Sequence, residues 1–239
     1  MGLFDQQTLY PISHSIGSIS QRIIIHQQDD LFIAHEHLYQ SDTPTRFYQH
    51  YADTFLFVIK GELYLQQDAA KETKETLLKA QQGIWLTATS INTMTLLSAM
   101  VELCLLHLSV TKQPENALPF NRVSTGTVER IEGKNRVRSW PLWQGQSGSV
   151  AIQTYPPHYT EALCYQQDVT QYLLPLNGRV LLSDHNGVNQ ECSKQGEIIF
   201  KKTPRAILNP NSKSITLLTV TTPHPIKGRV LLLKNPIKK

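Results

Sequence analysis

This sequence of 239 residues predicts an all-β fold: two tandem antiparallel β-barrels produced by an internal duplication. Three observations carry the prediction. Short runs rich in Ile, Val, Leu, Thr and aromatic residues recur along the chain, each ended by Gly, Pro, Asn or Asp. No segment sustains a helical period between caps. And a stretch of the first half can be laid over a stretch of the second, residue on residue.

The strands follow in order. "QRIIIH", "LFIAHEHLY", "TFLFVIKGELYL", "IWLTAT" and "VELCLLHLSV" fill the first half. "SVAIQTY", "YLLPLNGRVLL", "EIIFKK", "SITLLTV" and "GRVLLLK" fill the second. Turns are explicit at Asp184-His185-Asn186-Gly187 and at Asn209-Pro210-Asn211, residues that close turns with their own side chains or accept left-handed backbone. The best helical candidate is "AAKETKETLLKA". Many short strands with turns at this frequency mean a sandwich or a barrel.

The duplication is read by setting "FYQHYADTFLFVIKGELYL" over "CYQQDVTQYLLPLNGRVLL". Tyr48 falls on Tyr165, Gln49 on Gln166 and Gly61 on Gly178, each 117 positions on, without a gap. Further along, Gln82 and Gly83 fall on Gln195 and Gly196, 113 positions on. The smaller offset implies a shorter hairpin in the second copy, because insertions collect in turns. The seam is expected near "TKQPENALPFNRVS", where Pro114 and Pro119 interrupt the strand pattern. The expected division is a barrel over residues 1–113, a linker over 114–124 and a barrel over 125–239.

Composition narrows the function classes. A 40% apolar share fills a packed core, and 18% charged residues is modest. The net charge is only +4, and basic residues form no stripe interleaved with aromatics, so no nucleic-acid partner is expected. No apolar run is long enough to span a membrane. "MGLFDQQTLYPISHS" shows neither a secretory leader nor, with Gln6 at the Ser/Thr position, a myristoylation signal. Cys104, Cys164 and Cys192 are odd in number and widely spaced, which suits buried thiols in a cytoplasmic protein better than disulfides or a metal knuckle.

A strand ending in a glycine turn, then a hairpin, then "QG" and an apolar strand, all given twice, resembles the cupin superfamily and in particular a bicupin. The resemblance implies jelly-roll barrels with a pocket in the mouth, where imidazoles and a carboxylate hold a metal. Counting back from Gly61, the two imidazole positions are Tyr48 and His50 and the carboxylate position is Thr54. Counting back from Gly178, they are Tyr165, Gln167 and Gln171. The imidazole of the second motif falls on Met94 and Ile207. Only His50 is a good transition-metal ligand, so no cofactor is expected at these positions.

Two readings follow. In the first, Tyr48, His50, Thr54, Tyr165, Gln167 and Gln171 line pockets that bind an unidentified small molecule through hydrogen bonds. In the second, the chain is a cupin enzyme of the isomerase, lyase or dioxygenase kind. His50 is then its acid–base group, or a ligand of a divalent transition metal with His35 and His37 of "AHEHLY". On either reading His50 makes the first barrel the one expected to bind or react. The plainer expectation for "AHEHLY" is that His35 and His37 face solvent while Ala34, Glu36 and Leu38 take the other face of that strand. Glu161 and Glu197 read as solvated strand ends rather than catalytic groups, and His107 as a core or rim histidine. Arg205, after Pro204, reads as a surface arginine, the alternative being that it reaches a barrel mouth and binds an anionic ligand. Assembly into a homodimer is left open.

Overall fold

The computed structural model describes residues 12–28, 30–48, 52–69, 72–88, 90–108, 120–226 and 228–232. They divide into two compact units, with the boundary between Glu129 and Arg130. Residues 125–129, expected to open the second barrel, thus cluster with the first. One tie holding this stretch there is Val123, which exchanges backbone hydrogen bonds with Gly83, both at 2.9 Å.

The first unit contains β1 (Ile12–Ser15), β2 (Gln21–Gln28), β3 (Leu31–Tyr39), β4 (Thr45–Tyr48) and β5 (Thr54–Lys60). It continues with β6 (Glu62–Ala69), β7 (Glu72–Lys79), β8 (Gly83–Leu86), β9 (Ile91–Leu96) and β10 (Met100–Leu108). Two antiparallel sheets result, ordered β1-β2-β3-β10-β5-β8 and β4-β9-β6-β7. Side chains alternate across each strand, so one set of residues from both sheets makes the interior. That set includes Leu38, Leu56, Val58, Leu63, Leu65, Met94, Leu103 and Leu105. Phe55, Phe57, Ile33, Cys104 and Leu106 on the opposite face of the first sheet are buried as well. Burial on both faces explains why "TFLFVI" reads as a continuous apolar run without alternation.

The second unit repeats this plan. Its strands are β11 (Ile131–Glu132), β12 (Arg138–Gly145), β13 (Gly148–Tyr155), β14 (Cys164–Tyr165), β15 (Thr170–Asn177) and β16 (Leu181–Ser183). They continue with β17 (Asn189–Glu191), β18 (Glu197–Ile199), β19 (Ala206–Leu208), β20 (Ile215–Thr222) and β21 (Val230–Leu231). The large sheet is ordered β11-β12-β13-β20-β15-β18, the order of the first barrel repeated strand for strand. A smaller sheet, β17-β16-β19, matches β7-β6-β9. The interior set is Tyr155, Leu173, Val180, Leu182, Ile199, Ile207, Ile215 and Leu217. β21 pairs with β14 inside its own unit, through Cys164 with Leu231 and Tyr165 with Val230.

The repeated glycines have a physical cause. Gly61 and Gly178 turn the chain out of β5 and β15 with φ of +88° and +70°, backbone that favours glycine. Gly83 and Gly196 each lie under an aromatic ring, Phe55 and Tyr172 respectively, and a Cβ on either would stand inside that ring. Phe55 and Tyr172 are themselves equivalent under the 117-position offset, so the glycine and its ring were duplicated together. The shortened hairpin is also found, since β6 and β7 have 8 residues each while β16 and β17 have 3 each.

The helical candidate is a strand. Within "AAKETKETLLKA", residues Glu72–Lys79 form β7 and pair along their length with β6. Only Leu78 is fully buried; Glu72, Thr73, Lys74 and Glu75 face solvent, and Thr76 and Leu77 are half-buried. Hairpin pairing overrides a local helix preference of this weak kind. Among the described residues, the one helical segment is a short 3₁₀ turn at Lys134–Arg136.

Candidate functional site

In the first barrel, Tyr48 ends β4 with its side chain in the core. Its hydroxyl donates to Glu36 Oε2 and accepts from Arg46 Nε at 3.0 Å. Glu36, fully buried on β3, also accepts from Arg22 Nε at 2.7 Å, and Arg46 Nη2 lies 3.6 Å from it. Arg22 reaches Glu36 because β2 and β3 place them directly opposite. Arg46 also lies over the Tyr48 ring, 5.2 Å from its centroid. Burial, and then the Glu36 carboxylate, raise the pKa of Tyr48 well above the phenol range, so the hydroxyl keeps its proton and donates it.

Thr54, at the start of β5, is fully buried and donates to the backbone oxygen of Ala52 at 3.1 Å. Its cross-strand neighbour on β10 is His107, which stacks on Phe32 with centroids 4.5 Å apart. Asn92 of β9 and Gln67 of β6 add a buried amide pair, Gln67 Nε2 to Asn92 Oδ1 at 2.9 Å. His50 lies outside the described residues. His35 and His37 lie on the face of β3 opposite Ala34, Glu36 and Leu38, and the interior side belongs to Glu36 and Leu38. His35 is nonetheless buried, which holds its pKa down to about 4, helped by the neighbouring His37.

The second barrel gathers three expected or weighed residues into one narrow cleft. Tyr165 of β14, Gln171 of β15 and Arg205 line it with Cys164, Ile199 and Phe200, and as it stands the cleft is closed too tightly to admit a water molecule. Gln167 is half-buried nearby but does not line it. Arg205 is only 5% exposed and is not a surface arginine. Its Nη1 donates to Glu161 and its Nη2 to Gln171 Oε1 at 2.8 Å. Glu161 is not a solvated strand end either: it is buried and also takes Arg229 Nη1 and the Ile207 backbone N–H, the latter at 2.9 Å. Glu197 is half-buried, and burial raises its pKa. Burial, and then Glu161, push up the pKa of Cys164, so this thiol is no ready nucleophile.

Both units are antiparallel barrels with one strand order, and solved structures share this architecture across nearly the whole chain. The fold is that of a bicupin. AerE from Microcystis aeruginosa superposes with a TM-score of 0.70 at 14% identity, over 89% of this chain and 96% of its own. Vicilin from hazelnut, Corylus avellana, superposes with a TM-score of 0.70 at 8% identity, over 94% and 87%. The oxalate decarboxylase of Lactobacillus farciminis, solved as a formate complex, gives 0.66 at 13% identity, over 97% and 91%. No family model matches the sequence, and no curated protein matches it. A vicilin and an oxalate decarboxylase on one fold leave function to the site.

At the positions where the resemblance would place a metal, the described side chains have other partners. Tyr48 is bound to Glu36, Thr54 to the backbone oxygen of Ala52, and Gln171 to Arg205. Met94 and Ile207 are packed in the two cores. Among the described residues, no three His, Cys, Asp or Glu side chains stand together as a metal group. No helix among them is long and apolar enough to cross a membrane.

Sequence reasoning missed the Arg22–Glu36–Arg46 and Arg205–Glu161–Arg229 clusters. One signal was available: Glu36 sits between Ala34 and Leu38 on an apolar face, and a carboxylate there requires partners. Its partners come from other strands, and no local pattern names them.

Proposed function

We propose that this bicupin binds a small molecule without a metal, through hydrogen bonds, and that the cleft of the second barrel is its principal site. The observation that carries this reading is the convergence of Tyr165, Gln171 and Arg205 on one cleft with apolar walls from Ile199 and Phe200. A few polar groups set in an apolar surface is the usual make-up of a small-molecule site. Tyr48 and Thr54, with His50, are proposed as the corresponding group of the first barrel. This moves the emphasis from the first barrel, where His50 had placed it, to the second.

The enzyme alternative assigns His50 an acid–base role, or a metal shared with His35 and His37. The placement of His35 and His37 on the face away from the Glu36–Tyr48 pair gives the shared metal little support.

Two measurements test the proposal. Elemental analysis of protein purified without chelator should find transition metal well below one equivalent per chain, and chelator should leave the melting temperature unchanged. About one equivalent of Fe, Mn, Ni or Zn would overturn the metal-free part. A small-molecule library screened by NMR should perturb resonances of Tyr165, Ile199 and Phe200. A hit set that leaves these unmoved would remove the second cleft as the site.

A further inference from the structure

We infer that the ligand of the second-barrel cleft is a small monoanion with an apolar body, a monocarboxylate, seated on Arg205. The inference rests on the small-molecule reading above and adds the chemical class.

Charge is the first argument. Glu161 is one carboxylate held by two guanidiniums, those of Arg205 and Arg229, so the cluster carries one positive charge more than it neutralises. Arg229 is half-exposed and is solvated on its own account, whereas Arg205 is buried and lines the cleft. A single negative charge balances the cluster, and a dianion over-compensates it. A carboxylate also matches the planar guanidinium, which offers donors in pairs.

Geometry is the second argument. Glu161 and Gln171 occupy two of the five N–H donors that a guanidinium carries. Gln171 Oε1, 2.8 Å from Arg205 Nη2, marks the place of an anionic oxygen. A neutral amide there is the weaker partner for a cation. The other end of that amide is loosely held, with Nε2 3.5 Å from Thr221 Oγ1, at the limit of a hydrogen bond. A ligand carboxylate therefore enters by taking the place of Gln171 Oε1 on Arg205, while Gln171 swings aside and opens the narrow cleft. The third argument is the wall: Ile199 and Phe200 accept an apolar ligand body beside the charged head.

The test uses benzoate, its neutral isostere benzamide, and sulfate, titrated calorimetrically into the full chain. Benzoate should bind at least about tenfold tighter than benzamide, the factor that a charge-assisted hydrogen bond supplies over a neutral one. Sulfate should bind more weakly than benzoate. Gln171→Glu places a carboxylate on Arg205 from within the chain and should weaken benzoate at least about tenfold. Arg179→Gln, at an exposed ion pair with Glu191, should leave benzoate affinity unchanged. Benzamide binding as tightly as benzoate would overturn the anion inference and leave the small-molecule reading standing. An equal loss in Arg179→Gln and Gln171→Glu would show general attraction to a basic protein, and would overturn it too. No binding of benzoate also overturns it, and the library screen then decides the broader reading separately. The wild-type comparison of benzoate with benzamide holds even if Gln171→Glu fails to fold.

Discussion

Glu36 is a carboxylate withdrawn from water, and its stability rests on the Tyr48 hydroxyl and the Arg22 guanidinium, with Arg46 alongside. Removing the acceptor leaves its donors facing each other, whereas removing one donor leaves a carboxylate still paired. Glu36→Ala is therefore expected to destabilise the protein by about 3–5 kcal/mol. Tyr48→Phe should cost about 1–3 kcal/mol. Urea unfolding of both variants measures the order, and a Tyr48→Phe loss above that of Glu36→Ala would sink this account of the network. His35 makes the acid side of the stability curve. Burial, then His37, hold its pKa near 4 against an ordinary 6.5. Between those values the unfolded chain binds the proton and the folded chain does not, so stability falls as pH drops from 6.5 toward 4. The slope from one such histidine is about 1 kcal/mol per pH unit. His26, also lowered by burial, adds to it with the same sign. His35→Gln should flatten the curve in this window. An unchanged slope in urea midpoints taken across it would assign the acid loss to other groups.

At the scale of elements, the two hairpins that follow Gly61 and Gly178 show what the duplication conserved and what it left free. The glycine-under-ring contact is kept in both barrels, and hairpin length is not. Gly83 does not adopt left-handed backbone, so the cost of Gly83→Ala is mainly the clash with the Phe55 ring, with a tighter approach to the Leu56 backbone oxygen beside it. Overpacking of this kind costs about 1–3 kcal/mol. Gly83→Ala combined with Phe55→Leu should lose less than the two single variants together, because the smaller side chain clears the space. Strict additivity in the double-mutant cycle would show that the ring is not what excludes a side chain there. In β7 the difference between positions is sharper. Leu78→Ala removes the only fully buried side chain of the strand and should cost about 2–5 kcal/mol. Glu72→Ala and Lys74→Ala, on the solvated part, should stay within about 0.5 kcal/mol.

At the scale of the molecule, each barrel has an interior apolar cluster of its own, and strand is nearly the whole of the regular structure. The far-ultraviolet circular dichroism spectrum should accordingly lack the double minimum of α-helix, and a helical spectrum would overturn the architecture. Much of this was legible in the sequence. Strand composition, turn residues and the registered copies at Tyr48/Tyr165, Gly61/Gly178 and Gly83/Gly196 specify two similar barrels, because strand propensity, glycine turns and repetition are local or linear properties of the chain. The site was legible only in part. Tyr165 and Gln171 could be singled out because they occupy counted positions in a motif. Glu161 and Arg205 could be noticed but not paired, and Arg229 could not be singled out at all, because each looks like an ordinary charged residue beside its neighbours in the chain. Glu161 pairs with Arg205, 44 positions on, and with Arg229, 68 positions on, a relation that exists only after the strands are packed. The sequence by itself determined that two duplicated barrels form. The tertiary structure alone decided which charges they bury, because burying a carboxylate depends on the cations that other strands bring to it.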